Sequence, residues 1–243
     1  MKPLPCRQLK LASMRIPHLC ISAFAVALGL AVGWWMFRPE PTFQGRSIRS
    51  WLGEIQDITY TRPLPQEMIA TFRQNASIVV PGLVQIIEIR NPALHRLSQS
   101  PRLLGRPLPS AFQDWINQRF YRELWDRAYA IELCSTIGPE AKGAHAVLIR
   151  TCSDPYWGIR RSAVKSLVKT EVPPKTAVPI LSQISLKDPV YEVQEEAAKC
   201  LGLLGEKAKS AVPALRMAAT NGHPAVKWSA RWALERIENR KSL

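Results

Sequence analysis

The sequence has few of the residues that build metal centres. It contains five cysteines and four histidines among 243 residues, with no Cys-x-x-Cys pair and no two histidines at metal-ligand spacing. Metal sites in proteins need several such ligands close together, usually at short and characteristic spacings. We therefore predict no metal site, and no motif indicates a bound cofactor.

Acidic residues are absent from the first 39 positions, so the N terminus is purely basic. Residues 16–37 then lack Asp, Glu, Lys and Arg altogether. A helix over this range, rising about 1.5 Å per residue, spans roughly 33 Å and can cross a hydrocarbon core of about 30 Å. We predict a basic tail over residues 1–15 and one uncleaved transmembrane signal-anchor over residues 16–37. The positive charge before the anchor places the N terminus in the cytoplasm and the rest of the chain outside it.

A cleaved signal peptide is the main alternative for this segment. Its apolar region is usually about 7 to 15 residues long, shorter than the run found here. The small-x-small motif that a peptidase would need, Ala25-x-Ala27, lies in the middle of the run. An uncleaved anchor therefore fits the segment better.

Alanine recurs along the C-terminal half at a nearly constant interval. The spacings are 33, 34 and 33 residues, at Ala130, Ala163, Ala197 and Ala230. Apolar residues stand four positions before or after them, at Ile159, Val193, Val226, Cys134, Leu167, Leu201 and Leu234. A spacing of four places these side chains on one helical face, which we predict to be buried. Sixteen residues after an alanine, Ala146, Pro179 and Pro213 mark the predicted first turn of a second helix.

Further residues recur with the alanines. Asp-Pro precedes the first helix at Asp154-Pro155 and Asp188-Pro189, and glycine follows it at Gly138 and Gly205. This pattern resembles the short HEAT-like repeats that also occur in phycobilisome lyases, over about residues 126–240 and more weakly near residues 69–83. The resemblance implies an all-α fold, a right-handed α-α solenoid of four to five HEAT-like hairpins within residues 63–243. It also implies a phycobilin-lyase-like enzyme or chaperone subunit as an alternative function.

The stretch between anchor and repeats, residues 38–62, is predicted to be a linker with a short capping helix. Its Phe-x-Gly-Arg-Ser segment at residues 43–47, followed by Trp51-Leu52, resembles a group of uncharacterised bacterial membrane-anchored HEAT-repeat proteins. Ser47 can cap a helix whose apolar face covers the first repeat. Further along, residues 98–110 are predicted to form a surface loop and Ala111 to Ile137 one long or broken helix.

A cysteine nucleophile is not indicated. Cys134 occupies the core position of Leu201, and a buried cysteine behaves as a small apolar side chain. Cys134 and His145 would face each other across a hairpin, but no third residue orients the pair. We therefore predict a protein without catalytic residues.

The net charge of +14 raises the possibility of a nucleic-acid partner. Matching positions on the second helices are Ile149, Ser182 and Arg216, so no basic row is predicted there. The basic residues of the first helices, which include Arg160, alternate with glutamates and are predicted to form a solvated face. We therefore expect an interaction scaffold for an unknown protein partner in the cell envelope. A basic surface for lipid head groups, wall polymer or nucleic acid is the alternative.

Two tryptophans distinguish the last repeat, Trp228 and Trp232. The equivalent positions in earlier repeats are charged: Arg161, Glu195, Lys165 and Lys199. At about 100° per residue both tryptophans point away from the face that packs on the preceding repeat. With Arg231 and Arg236 they would form an aromatic and basic patch for a protein partner or for self-association. A cap over the end of the solenoid is the second interpretation, and both remain open.

Overall fold

The computed structural model describes residues 41–61, 63–99, 102, 103 and 106–238. The predicted basic tail (1–15) and signal-anchor (16–37) lie outside the described residues. Among the helices of the described part, none is both long and apolar enough to cross a membrane.

Helices make up most of the described chain, with two short β-hairpins between them. In chain order the elements are β1 (Thr42–Phe43), β2 (Arg46–Ser47), α1 (Ile48–Thr61), α2 (Gln66–Gln74), α3 (Ala76–Glu88), α4 (Pro92–Gln99), β3 (Arg102–Leu103), β4 (Arg106–Pro107), α5 (Ser110–Ile137), a 3₁₀ helix (Gly138–Ala144), α6 (His145–Thr151), α7 (Trp157–Lys169), α8 (Pro174–Lys187), α9 (Tyr191–Leu204), a second 3₁₀ helix (Gly205–Ala211), α10 (Val212–Asn221) and α11 (Pro224–Glu238). Both strand pairs are antiparallel.

The recurring alanines lie at the centre of the packing, as the repeat pattern predicts. Each of the four has 0% of its surface exposed: Ala130, Ala163, Ala197 and Ala230. The helices that carry them, α5, α7, α9 and α11, contact one another in chain order, and the second helices α8 and α10 contact each other. The described residues thus form stacked hairpins, α2–α3, α5–α6, α7–α8 and α9–α10, followed by α11. This agrees with the predicted four to five helix pairs.

The predicted starts of the second helices are correct in two repeats and wrong in the third. Ala146 lies in the first turn of α6, and Pro213 lies in the first turn of α10. Pro179, in contrast, lies inside α8, which begins five residues earlier at Pro174. Pro173 is extended and Pro174 has its φ fixed near the helical value, so these two prolines start the helix. In the neighbouring repeats the corresponding residues form the 3₁₀ helices, which delays the α-helix.

The segment before the first repeat forms the predicted cover. The Oγ atom of Ser47 accepts a hydrogen bond from the backbone N–H of Ser50 at 3.2 Å, which caps α1. Ile48 and Leu52 on the inner face of α1 are buried. A β-carbon at Gly82 of α3 would lie 2.8 Å from Ile48 Cγ1, so this glycine lets α1 approach α3 closely.

The region between the first two hairpins is more ordered than the sequence predicts. Helix α4 and the β3–β4 hairpin occupy part of the predicted loop at residues 98–110, so that prediction is wrong. The following helix, α5, runs unbroken from Ser110 to Ile137, which is the first of the two predicted forms. Its 28 residues exceed the 13 of α7 and the 14 of α9, so its N-terminal half has no counterpart in later repeats.

Buried ion pairs connect the repeats. Arg160 on α7 donates two hydrogen bonds of 2.7 Å to the carboxylate of Asp188, and Arg127 on α5 donates one of 2.5 Å to Asp154. Arg160 also donates to the backbone oxygen of Asp154 at 2.9 Å, so it joins the segments that follow α6 and α8. Hydrogen bonding to Asp188 raises the pKa of Arg160 above its ordinary value. The predicted solvated position of Arg160 is therefore wrong, because its partners lie in the core.

Candidate protein-contact surface

Helix α11 presents one face to the preceding repeat and one to solvent. Pro224 is its first residue, where a missing N–H costs no intrahelical hydrogen bond. The buried residues of the helix recur at helical spacing: Val226, Ser229, Ala230, Ala233 and Ile237. Leu234, which the repeat places on the buried face, is only partly buried. This packing fixes the rotation of α11 and therefore which side chains point outward.

On the earlier first helices, the outer positions form ion pairs. Lys165 on α7 binds Glu132 on α5 at 2.9 Å, and Arg161 on α7 binds Glu196 on α9 at 3.4 Å. Within α9, Lys199 binds Glu195 at 2.6 Å. Charged partners therefore cover the outer side of the contacts between α5, α7 and α9.

Trp228 is the part of the predicted patch that faces solvent. It aligns with Glu195, which forms an ion pair, whereas the Trp228 side chain is 64% exposed. No aromatic or cation–π partner for Trp228 is found among the described residues. Arg231 is exposed as well. An exposed indole beside a guanidinium supplies a large apolar contact area together with a charge, a combination frequent in binding hot spots.

Trp232 differs from the expectation that both tryptophans point outward. It is partly buried and packs against the core. A β-carbon at Gly202 of α9 would lie 2.5 Å from Cζ3 of the Trp232 ring and 2.9 Å from the Cα of Ala233. The ring turns toward α9 because Gly202 leaves room there, and this room is not visible from the rotation of α11 alone.

Arg236 belongs to the same contact. Its guanidinium lies 5.1 Å from the centre of the Trp232 ring, and its Nε donates to the backbone oxygen of Gly202 at 3.2 Å. Trp232, Arg236 and Gly202 thus form a clasp between α9 and α11. The structure separates the four predicted contact residues into this clasp and an exposed pair, Trp228 and Arg231.

The buried cysteines have the environment of structural thiols. Burial raises the pKa of the Cys134 thiol to about 12, which opposes formation of a thiolate. His145, proposed as its hypothetical partner, has its Nε2 atom 2.8 Å from the backbone oxygen of Thr170. The Cys134 thiol therefore lacks the lowered pKa of an activated cysteine nucleophile.

Comparison with known proteins finds a similarity to a repeat family in the C-terminal part. Residues 178–243 match the family model of HEAT repeats, a range that begins within α8. No curated protein matches the chain in sequence. Among solved structures, a designed armadillo repeat protein in complex with the peptide (KR)4 is similar at 16% identity and a TM-score of 0.40, over 78% of this chain and 92% of that chain.

Proposed function

We propose that this chain is a membrane-anchored scaffold of HEAT-like repeats, which binds a protein partner in the cell envelope through Trp228 and Arg231. The stacked hairpins provide an extended and rigid surface, as repeat domains generally do. The solvent exposure of Trp228 is the observation that carries the proposal. A scaffold acts by contact, so this function requires no catalytic residue.

The residues at the positions equivalent to Trp228 favour a binding role for this side chain. Glu195 forms an ion pair on α9, and Arg161 forms one between α7 and α9. Trp228 leaves its ring in water while Trp232, one turn along, supplies the clasp to α9. An indole that the described fold does not bury retains most of its apolar area for a partner, and burying it there is favourable.

The location rests on the N-terminal sequence. The charge-free run at residues 16–37 would anchor the chain as a single-pass protein, and the basic tail would keep the N terminus in the cytoplasm. The right-handed solenoid then lies outside the cytoplasm. A reporter that is active only in the cytoplasm, fused after Leu243, is expected to be inactive, and activity there would contradict this orientation.

The experiment for the partner uses a photo-crosslinking residue in place of Trp228 in the full chain, in membranes of the cells that produce it. The matched control carries the same residue at Gln183, which is exposed on α8. We expect one defined protein adduct from position 228 and none from position 183. An adduct between two copies of this chain would identify self-association as the contact. Equal adduct patterns from both positions would contradict a specific surface at Trp228.

A second candidate function is binding of an anionic polymer, which the excess of basic residues favours. Two arginines, Arg127 and Arg160, are paired with aspartates inside the fold, so the excess positive charge is carried by other residues. Binding by the remaining charges would collapse with added salt, whereas contact through Trp228 would persist. Salt dependence of the crosslink at position 228 therefore distinguishes the two functions.

A further inference from the structure

The N-terminal half of α5 presents a second exposed aromatic surface, remote in sequence from α11. Its inner face is already packed, since Ile116 is 1% exposed and Leu124 7% exposed. Phe120 on the same side packs against His95 of α4, with tilted rings whose centres are 5.6 Å apart. The fold of this segment is therefore complete without the aromatic residues on its outer side.

These outer residues form a continuous stripe. Counted at about 100° per residue, they fall within roughly 140° of the helix circumference, opposite the packed face. The outer stripe comprises Phe112, Trp115, Arg119, Arg122 and Trp125. Its aromatic members are 44% to 54% exposed, and the rings of Phe112 and Trp115 stack with centres 5.5 Å apart. Such a row of large apolar side chains in water needs a partner or a reason to remain exposed.

Arginines outnumber acidic residues around the outer stripe. Residues 90–122 contain six arginines and one acidic residue, Asp114. Arg90, Arg96, Arg119 and Arg122 are exposed, and no acidic group of the described residues lies within ion-pair distance of them. Asp126, which lies on the same side of α5, faces Arg49 of α1 at 3.8 Å. The partner that complements this surface is therefore anionic.

Aromatic rings interleaved with arginines on one helical face suit the interface of an anionic membrane. Tryptophan and tyrosine are enriched at the level of the lipid head groups, and arginine is drawn to anionic lipids there. An acidic protein would also complement the charge. It would not by itself explain why aromatic and basic side chains alternate along about four turns of one helical face. The observations therefore favour a lipid surface.

The covalent chain supports the same occupant. The charge-free run ends at Phe37, four residues before Pro41, so a spanning anchor would hold Pro41 within about 14 Å of the bilayer boundary. Arg49, in the first turn of α1, contacts the residue that follows Trp125 on α5. The C-terminal end of the outer stripe is thus close to the point at which the chain enters the described fold.

From this we infer that the outer stripe of α5 binds the anionic lipid head groups of the membrane, with the aromatic rings at the interface and Arg119 and Arg122 on lipid phosphates. This contact is separate from the Trp228 surface and does not require the proposed protein partner. It would orient the repeats on the membrane and leave α11 directed to other partners.

The test places an environment-sensitive fluorophore on Gln118, which lies within the outer stripe, in the full chain reconstituted into vesicles. Cys6 and Cys20 are replaced by serine, and the remaining three cysteines are buried, so Gln118→Cys is the labelled site. A matched variant carries the label at Gln183. Vesicles of phosphatidylcholine are compared with vesicles that also contain phosphatidylglycerol.

We expect the label at position 118 to brighten and shift to shorter wavelength with phosphatidylglycerol, while the label at position 183 stays unchanged. Arg119→Gln together with Arg122→Gln should lower the bound-to-free ratio about 30-fold, from about 1 kcal/mol for each charge. About 1 M salt, where the Debye length is roughly 3 Å, should also release the stripe. A water-like signal with phosphatidylglycerol, or an equal signal without it, overturns the inference. A response to a polyglutamate peptide in place of lipid also overturns it and assigns the stripe to an acidic protein.

Discussion

The indole of Trp232 lies directly over the backbone of Gly202, at a distance that leaves no space for a β-carbon at position 202. Helix α11 can approach α9 this closely because glycine has no side chain. Arg236 then covers the ring and donates to the same glycine. The contact between α9 and α11 relies on this shape match, whereas ion pairs connect the earlier first helices.

The first prediction concerns this shape match. Gly202→Ala should destabilise the chain by about 1–3 kcal/mol, because the added carbon must displace the Trp232 ring and the backbone of α11. Gly53→Ala in α1 is the matched control, since a β-carbon there meets nothing within 4 Å. It should be neutral or stabilising by up to about 1 kcal/mol. Urea unfolding measures both, and equal midpoints for the two variants would refute the clasp.

The second prediction concerns the buried ion pair of Arg160 and Asp188. Asp188→Ala leaves the guanidinium in the core without its carboxylate and should cost about 3–5 kcal/mol. The exposed pair of Arg216 and Glu238, at 3.0 Å, is the control. Glu238→Ala should change the free energy of unfolding by less than about 1 kcal/mol. A loss for Asp188→Ala as small as that for Glu238→Ala would mean that Arg160 reaches water.

The third prediction compares two leucines on α9. Leu201 is 0% exposed and Leu203 is 53% exposed, two residues apart on one helix. Leu201→Ala should cost about 2–5 kcal/mol because it leaves a cavity between the hairpins. Leu203→Ala should stay within about 0.5 kcal/mol. Thermal unfolding of both variants checks the register of the repeat, and the reverse order of stability would show that α9 is rotated.

The fourth prediction concerns thiol reactivity. Burial raises the pKa values of Cys134 and Cys152 to about 12, and only the thiolate attacks an aromatic disulfide reagent. In the chain with Cys6→Ser and Cys20→Ser, native protein at pH 8 should remain unlabelled, and urea should release three reactive thiols. Rapid labelling of Cys134 in the native chain would instead restore it as a nucleophile candidate.

The sequence predicts those parts of the fold that follow from local periodicity. The alanine spacing identifies the buried face of each first helix, and Ser47 marks the start of α1, because both signals lie within a few turns of one helix. Helix α4 has eight residues between segments rich in proline and arginine, too short for a periodic signal. Its order depends on packing against α5.

Features that depend on distant residues were not predictable in this way. Arg160 finds Asp188 28 positions later, and only the stacking of the hairpins brings the two together. The position of Trp232 depends on Gly202 of another helix, so the rotation of α11 predicts Trp228 correctly and Trp232 wrongly. The outer stripe of α5 has no equivalent in the other repeats, so a comparison of equivalent positions between repeats does not reveal it.

The central claim is that Trp228 belongs to a binding surface and Trp232 to the fold, and one comparison of partner retention tests it. Trp228→Lys and Trp232→Lys each introduce the residue that an earlier repeat carries at the Trp232 position. In full chains captured from detergent-solubilised membranes, we predict that Trp228→Lys loses the protein that crosslinks at position 228. Its free energy of unfolding should stay within about 0.5 kcal/mol of the wild-type value. Retention of that protein by stably folded Trp228→Lys would contradict the account.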